Sequence, residues 1–170
     1  VGVLAEFSGS DALVAAFDRN TLVYGQNGDL ITELHAEINR IPVDLERIPD
    51  HVQKAFVAIE DQRYYSHRGV DLKAILRAGL SYYQSGGRIT EGASTITQQV
   101  MKLYFLTPEQ SLQRKIKEAV LALEFEMRYS KESILELYLN RVYFGEGAYG
   151  IQSASRAYFD KDSKDLTLAE

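Results

Sequence analysis

Asp50-His51-Val52-Gln53-Lys54-Ala55-Phe56-Val57-Ala58-Ile59-Glu60 is the stretch at which the chain turns helical. Val52, Phe56 and Ile59 recur at spacings of four and three, one face of a 3.6-residue period, and Asp50 is a residue type that caps a helix start. The pattern continues downstream. Asp71 stands before Leu72, Ile75, Leu76, Leu80 and Tyr83 in helical register, and Ser85-Gly86-Gly87 ends that run and opens a loop to about Gly92. Ser94 is placed to cap a helix running toward Leu103. Thr107-Pro108-Glu109-Gln110 reads as a helix start, with proline at the first position and Gln three after the cap. Leu112, Ile116, Val120, Leu123 and Met127 are the expected core face of that helix, with Ile116 inward and Glu118, about 200° further round, facing away. Ser130 opens a run through Ile134, Leu135 and Tyr138, and Gly145 and Gly147 break the chain before a last helix at about 151–158.

Upstream of Asp50 the period changes. Thr21–Tyr24 and Leu30–Leu34 are β-favouring runs, and Asn27-Gly28 between them is a hairpin turn signal. Residues 41–48 read as an extended connector punctuated by Pro42 and Pro49. The expectation is a mainly α chain with a small N-terminal β-hairpin. Residues 1–170 then form one domain: hairpin and connector over about 1–49, helical part over 50–170.

The 170 residues are 45% hydrophobic and 25% charged, enough apolar surface for one real core. Cysteine is absent, which excludes disulfides, thiolate zinc sites and cysteine nucleophiles. The net charge of -5 argues against nucleic acid, whose binding needs clustered Lys and Arg. That charge is uneven: residues 1–50 hold nine acids and three bases, leaving fifteen acids and sixteen bases for the rest. No apolar run reaches the roughly 18 residues of a membrane span. His35 and His51 lack ligand spacing, and there is no phosphate-binding Walker loop, dinucleotide fingerprint or Gly-x-Ser-x-Gly elbow.

Four constellations could carry chemistry. Residues 60–69 crowd Glu60, Asp61, Arg63, His67 and Arg68 ahead of Gly69: a solvated interhelical loop, or a catalytic carboxylate beside an orienting histidine. Residues 91–102 lead Ser94, Thr95 and Thr97 into a helix start, with Gln98, Gln99 and Lys102 following. This is ordinary capping, or an anion site at free N–H groups. In the run Arg114-Lys115-Ile116-Lys117-Glu118, Arg114 and Glu118 are four apart and form an exposed helix pair, or Glu118 faces a cleft. Residues 131–151 are mostly apolar packing, with Asn140 as polar support near a helix end.

In this order the segments resemble the motifs of the peptidoglycan glycosyltransferase family, the transglycosylase domain of class A penicillin-binding proteins and monofunctional transglycosylases. The family motif Glu-Asp-x-x-Phe-x-x-His-x-Gly is matched by Glu60, Asp61, His67 and Gly69, with Tyr64 in the Phe place. Gly-x-Ser-Thr-x-x-Gln-Gln-x-x-Lys is matched by Gly92, Ser94, Thr95, Gln98, Gln99 and Lys102. Arg-Lys-x-x-Glu is matched by Arg114, Lys115 and Glu118, and Lys-x-x-Ile-Leu-Glu-x-Tyr-Leu-Asn by Lys131 through Asn140. The run from Phe144 to Gly150 is similar as well, so the resemblance covers about 14–170. One departure is Gln110, where relatives often carry an arginine implicated in holding substrate phosphate.

The resemblance implies a lysozyme-like fold with head and jaw lobes around a cleft, the loop at 85–92 in the mobile part, and a chain trimmed at both ends. It implies polymerisation of lipid II onto a lipid-linked glycan chain as β-1,4-linked strands, by an inverting mechanism that releases undecaprenyl pyrophosphate. Glu60 is then the general base and Glu118 the second catalytic carboxylate, one candidate for holding a divalent cation (Mg²⁺ or Mn²⁺). Asp61, His67, Ser94, Thr95, Gln98, Gln99, Lys102, Arg114, Lys115 and Asn140 are the implied substrate-binding residues. The same resemblance implies the extracytoplasmic face of the bacterial cytoplasmic membrane, an N-terminal transmembrane anchor in the parent protein, and a transpeptidase domain in the same chain as a candidate partner. Moenomycin-type inhibitors would bind the cleft. Tyr82, Tyr83, Tyr104, Phe105 and Leu106 are candidates for contact with the outer leaflet, with core packing as the other reading. The rival functions are a lysozyme-like peptidoglycan hydrolase and a non-catalytic lipid II-binding module.

Overall fold

The computed structural model describes residues 21–24, 30–34, 39–88, 92–105 and 111–170, with the backbone alone for 21–24, 30–34, 39–40 and 105. These residues include six α-helices: α1 (Asp50–Glu60), α2 (Leu72–Gln84), α3 (Ile96–Phe105), α4 (Leu112–Glu126), α5 (Lys131–Arg141) and α6 (Ile151–Phe159). The described chain is thus mainly helical, as its periodicity implied. β1 (Thr21–Tyr24) and β2 (Leu30–Leu34) pair antiparallel with Thr21 opposite Leu34. Residues 25–29, where the Asn27-Gly28 turn was expected, and Gln110 lie outside the described residues. β3 (Asn39–Arg40) pairs in parallel with β4 (Ala148–Tyr149).

α5 is the central helix. Ile134, Leu135, Leu137, Tyr138 and Leu139 are all buried, the mark of a helix surrounded by protein on nearly every side. α3 packs against it and against α4, burying Ile96, Val100 and Met101. The connector at 41–48 is strapped across α5 and α6 by side chains that accept its backbone N–H groups. Ile41 N–H donates to Ser153 Oγ (3.1 Å), Val43 N–H to Asn140 Oδ1 (2.9 Å) and Leu45 N–H to Glu136 Oε2 (2.7 Å). Backbone donors buried beside a helix need such partners. The connector is less extended than expected, closing into a 3-10 turn at Leu45–Arg47 before Ile48 enters the core.

Caps follow the sequence at two helices and shift at three. Asp71 accepts from Lys73 N–H and Ala74 N–H, and Ser130 accepts from Ser133 N–H. At α1 Pro49 takes the cap position, and Asp50 is the first helical residue, paired to Lys54 at 2.5 Å. At α3 the cap is Thr95 rather than Ser94, and at α4 it is Ser111, which accepts from Arg114 N–H.

α4 is turned opposite to the expectation. Leu112, Ile116, Val120, Leu123 and Met127 are exposed, Ile116 at 57%, whereas Glu118, Ala122 and Phe125 are buried, Glu118 at 2%. The apolar stripe marks a face without saying which side carries the neighbours. Ala122 brings the small side of α4 inward, where Gly69 lies so close that a Cβ there would stand 2.5 Å from the Ala122 carbonyl oxygen. Two cations on Glu118 make its burial tolerable. α2 has no buried residue on either face and exposes Leu72, Ile75, Leu76, Leu80 and Tyr83. Ile59 is 80% exposed at the end of α1, although Val52 and Phe56 on its face turn inward. Tyr104 packs against the core with Arg141 over its ring at 4.5 Å, so core packing is the observed role there.

Candidate active site

The site grows out of the end of α1. Glu60 is the last helical residue and its side chain is exposed, while Asp61 leaves the helix at φ -157° and is buried. Asp61 accepts from His67 Nε2, 2.9 Å from both carboxylate oxygens, and from the Ile96 N–H at 3.1 Å. That N–H belongs to the first turn of α3, where donors lack a helical partner and a negative group is favoured. Facing that carboxylate, Nε2 donates, and His67 Nδ1 is buried with no hydrogen-bond partner among the described residues. Asp61 and His67 therefore join the end of α1 to the start of α3.

Thr95 and Gln98 form a capping box at that start. Gln98 N–H donates to Thr95 Oγ1 (3.1 Å), and Thr95 N–H donates to Gln98 Oε1 (3.0 Å). The Thr95 hydroxyl donates onward to the Gly69 carbonyl at 2.6 Å. Gln99, one residue further round the helix, donates from Nε2 to Glu60 Oε2 at 2.9 Å. Lys102 is exposed on the same helix.

α4 brings the third constellation alongside. Lys115 Nζ donates to Ser94 Oγ at 2.7 Å and is ion-paired with Glu118 Oε1, while Arg114 Nη1 holds Glu118 Oε2 at 3.1 Å. Two cations on one carboxylate leave a local excess of one positive charge next to Ser94. Both oxygens of Glu118 are occupied by cations, and among the described residues no group of three His, Cys, Asp or Glu side chains could hold a metal ion. The donor set does not fit a protein-held divalent cation, so Glu118 is a buried counter-ion.

Two cavities meet at Glu60. A polar cleft of about 90 Å³ is lined by Glu60, Asp61, Arg63, Arg77, Ser94 and Thr95 among others. A mostly apolar groove of about 430 Å³ runs along Val52, Phe56, Ile59, Ile151 and Tyr158, also with Glu60 in its wall. Arg63 Nη1 donates to Asp71 Oδ1 at 3.2 Å. Burial opposes ionisation of Asp71, but the Ala74 N–H, the Arg63 charge and the Lys73 N–H outweigh it and hold its carboxyl below the ordinary value.

Most of the expected residues converge, in different roles. Glu60, Ser94 and the Arg114–Lys115–Glu118 cluster surround the polar cleft or adjoin it. Asp61, His67, Thr95 and Gln98 hold the frame beneath. Asn140 is not at the cleft: its amide accepts from Val43 N–H and donates to Val43 O (2.8 Å) and Glu136 O (3.0 Å), which clamps the connector. The sequence reading missed Arg77 at the cleft, because a cation in an amphipathic pattern looks the same whether it faces water or a ligand. It also missed the chain Thr97–Glu126–Lys131, with Glu126 held at 2.5 Å and 2.7 Å and the Lys131 ammonium 4.3 Å above the Tyr64 ring.

A family model described as Transglycosylase matches residues 27–170. Penicillin-binding protein 1F of Bacillus subtilis is 49% identical over 148 residues, covering 87% of this chain and 20% of that protein. Penicillin-binding protein 1A of Escherichia coli is 48% identical over 148 residues, covering 87% of this chain and 17% of that protein. Penicillin-binding protein 1A of Aquifex aeolicus is 47% identical over the same length, with 87% and 20% covered. The chain spans about a fifth of the length of the curated relatives it matches.

Proposed function

This chain belongs to the transglycosylase family, and from that membership we propose that it is a peptidoglycan glycosyltransferase domain that polymerises lipid II. The acceptor is the 4-hydroxyl of a GlcNAc, the electrophile is C1 of the terminal MurNAc on a lipid-linked chain, and the leaving group is undecaprenyl pyrophosphate. A sugar hydroxyl is a weak nucleophile, so a carboxylate must take its proton as the C–O bond forms. Glu60 is that base. Attack opposite the leaving group inverts the α-linked donor to a β-1,4 product.

The observation that carries this reading is the place of Glu60: an exposed carboxylate between a polar cleft and an apolar groove, with the Ser94–Lys115 pair lining or adjoining the same cleft. The excess positive charge of Arg114 and Lys115 over Glu118, together with Lys102, is suited to a departing diphosphate, whose negative charge grows as the bond breaks. Asp61, His67, Thr95 and Gln98 keep the start of α3 in place.

The rival hydrolase reading needs two working carboxylates flanking a glycosidic bond. Glu118 is buried and held by two cations, which disfavours it as a second acid or nucleophile. The exposed apolar face of α2 supports contact of this region, the jaw lobe of the proposed fold, with the outer leaflet of the cytoplasmic membrane. An N-terminal anchor, a transpeptidase domain in the parent chain and moenomycin binding in the cleft belong to the same proposal, with Gln110 weakening the phosphate contacts.

Incubation of the chain with labelled lipid II, with and without Glu60→Gln, tests the reading. Glycan polymer from the parent and essentially none from the variant are expected. Fragments released from finished peptidoglycan, with lipid II untouched, would overturn it.

A further inference from the structure

We infer that Gln99 is a positioning residue for Glu60, pinning one carboxylate oxygen so that the other is presented to the acceptor hydroxyl. This rests on the proposed role of Glu60 as base. Gln98 and Gln99 are adjacent and chemically identical, yet the roughly 100° turn between neighbouring helical residues gives them different tasks. Gln98 is buried and its carbonyl closes the capping box on Thr95. Gln99 is half-buried and its amide reaches out of α3 to Glu60 Oε2 at 2.9 Å.

Glu60 needs such a partner. It ends α1 with an exposed side chain, and a free glutamate samples many rotamers. Among the described residues Gln99 is the one side chain that hydrogen-bonds its carboxylate. A general base works only within hydrogen-bond reach of the proton it takes, and a misplacement of about 1 Å can lower a rate on the order of 100-fold. The bond to Oε2 leaves Oε1 available. A neutral amide also directs the carboxylate without the counter-charge of a lysine or arginine, which would favour the ionised form and weaken it as a base. The backbone that carries Gln99 is itself fixed: its N–H donates to the Thr95 carbonyl at 3.0 Å, and Ile96, at the start of α3, is held by Asp61. The Asp61–His67 pair thus sets the helix from which Gln99 holds the residue next to Asp61.

Gln99→Met, which keeps the length and volume but removes the donor, is compared with Gln99→Asn, which keeps an amide one methylene too short. Both are expected to lower kcat on the lipid-linked disaccharide substrate by about 10- to 100-fold, with KM within about threefold of the parent. Thermal midpoints within a few degrees of the parent establish that both variants are folded. In a Glu60→Gln background, Gln99→Met is expected to leave the Kd for that substrate unchanged. A tenfold rise in KM with kcat preserved, or a weaker Kd in the Glu60→Gln background, would make Gln99 a substrate contact and overturn the positioning role while leaving Glu60 as base. Full activity of Glu60→Gln alone would instead overturn the base reading, and the positioning role with it.

Discussion

Glu118 shows how far a single side chain can depart from its residue type. A carboxylate at 2% exposure survives because Arg114 and Lys115 each take one oxygen. Glu118→Gln removes the charge both cations answer. Arg114 is mostly buried and Lys115 is partly solvated, so the expected loss is about 2–3 kcal/mol, below the full figure for a buried pair. Urea unfolding should show it as a lower midpoint at unchanged slope. Asp71 makes a second prediction at this scale. As the cap of α2 it contributes about 1 kcal/mol, which Asp71→Ala should lose. Its carboxyl is held below the unfolded value of about 3.9, so its contribution is complete above about pH 4 and is lost as pH falls through the folded value. Stability curves of parent and Asp71→Ala should therefore run parallel near neutrality and converge in acid. The type of these residues was legible in the sequence, and so was the Asp71 cap. The burial of Glu118 was not, because Arg114 and Lys115 at i-4 and i-3 look the same on a solvated face as on a buried one.

At the scale of elements, periodicity located the helices well and their inward faces poorly. α5 was legible because apolar residues surround it, so no choice of face arises. α2 and α4 each carry a clean apolar stripe, and both stripes face outward among the described residues. What turns α4 is invisible to a hydrophobicity pattern: the small Ala122 against Gly69, and an ionic cluster opposite the stripe. The consequence is measurable. Ile116→Ser and Leu76→Ser should change unfolding free energy by no more than about 0.5 kcal/mol, as surface substitutions do. Phe125→Ala, fully buried on the other side of α4, should lose about 3–5 kcal/mol. If the apolar face of α2 meets lipid, Leu76→Ser with Leu80→Ser should also lower the fraction of chain that sediments with phospholipid vesicles, at unchanged stability.

On the scale of the whole molecule, segments from residue 60 to residue 118 become one site through backbone junctions more than through charge. The net of -5 says little about a cleft beside which Arg114 and Lys115 both pair with the single carboxylate of Glu118. Gly69 is the tightest of these junctions. Its φ of +73° is the left-handed region, its carbonyl accepts the Thr95 hydroxyl that caps α3, and a Cβ would stand 2.5 Å from the Ala122 carbonyl of α4. Gly69→Ala therefore strains the backbone by about 1–2 kcal/mol and must also push α4 away from the loop that carries Asp61 and His67. The expected result is a loss of at least about 2 kcal/mol in stability and a fall in the proposed polymerising activity larger than the fraction unfolded explains. Gly79→Ala is the matched control, since Gly79 lies inside α2 with nothing within 4 Å of its Cβ position. It should raise stability by about 0.5–1 kcal/mol through helix propensity and leave activity alone. Equal thermal midpoints and equal activities for the two variants would mean that the contact between Gly69 and α4 does not hold the site together.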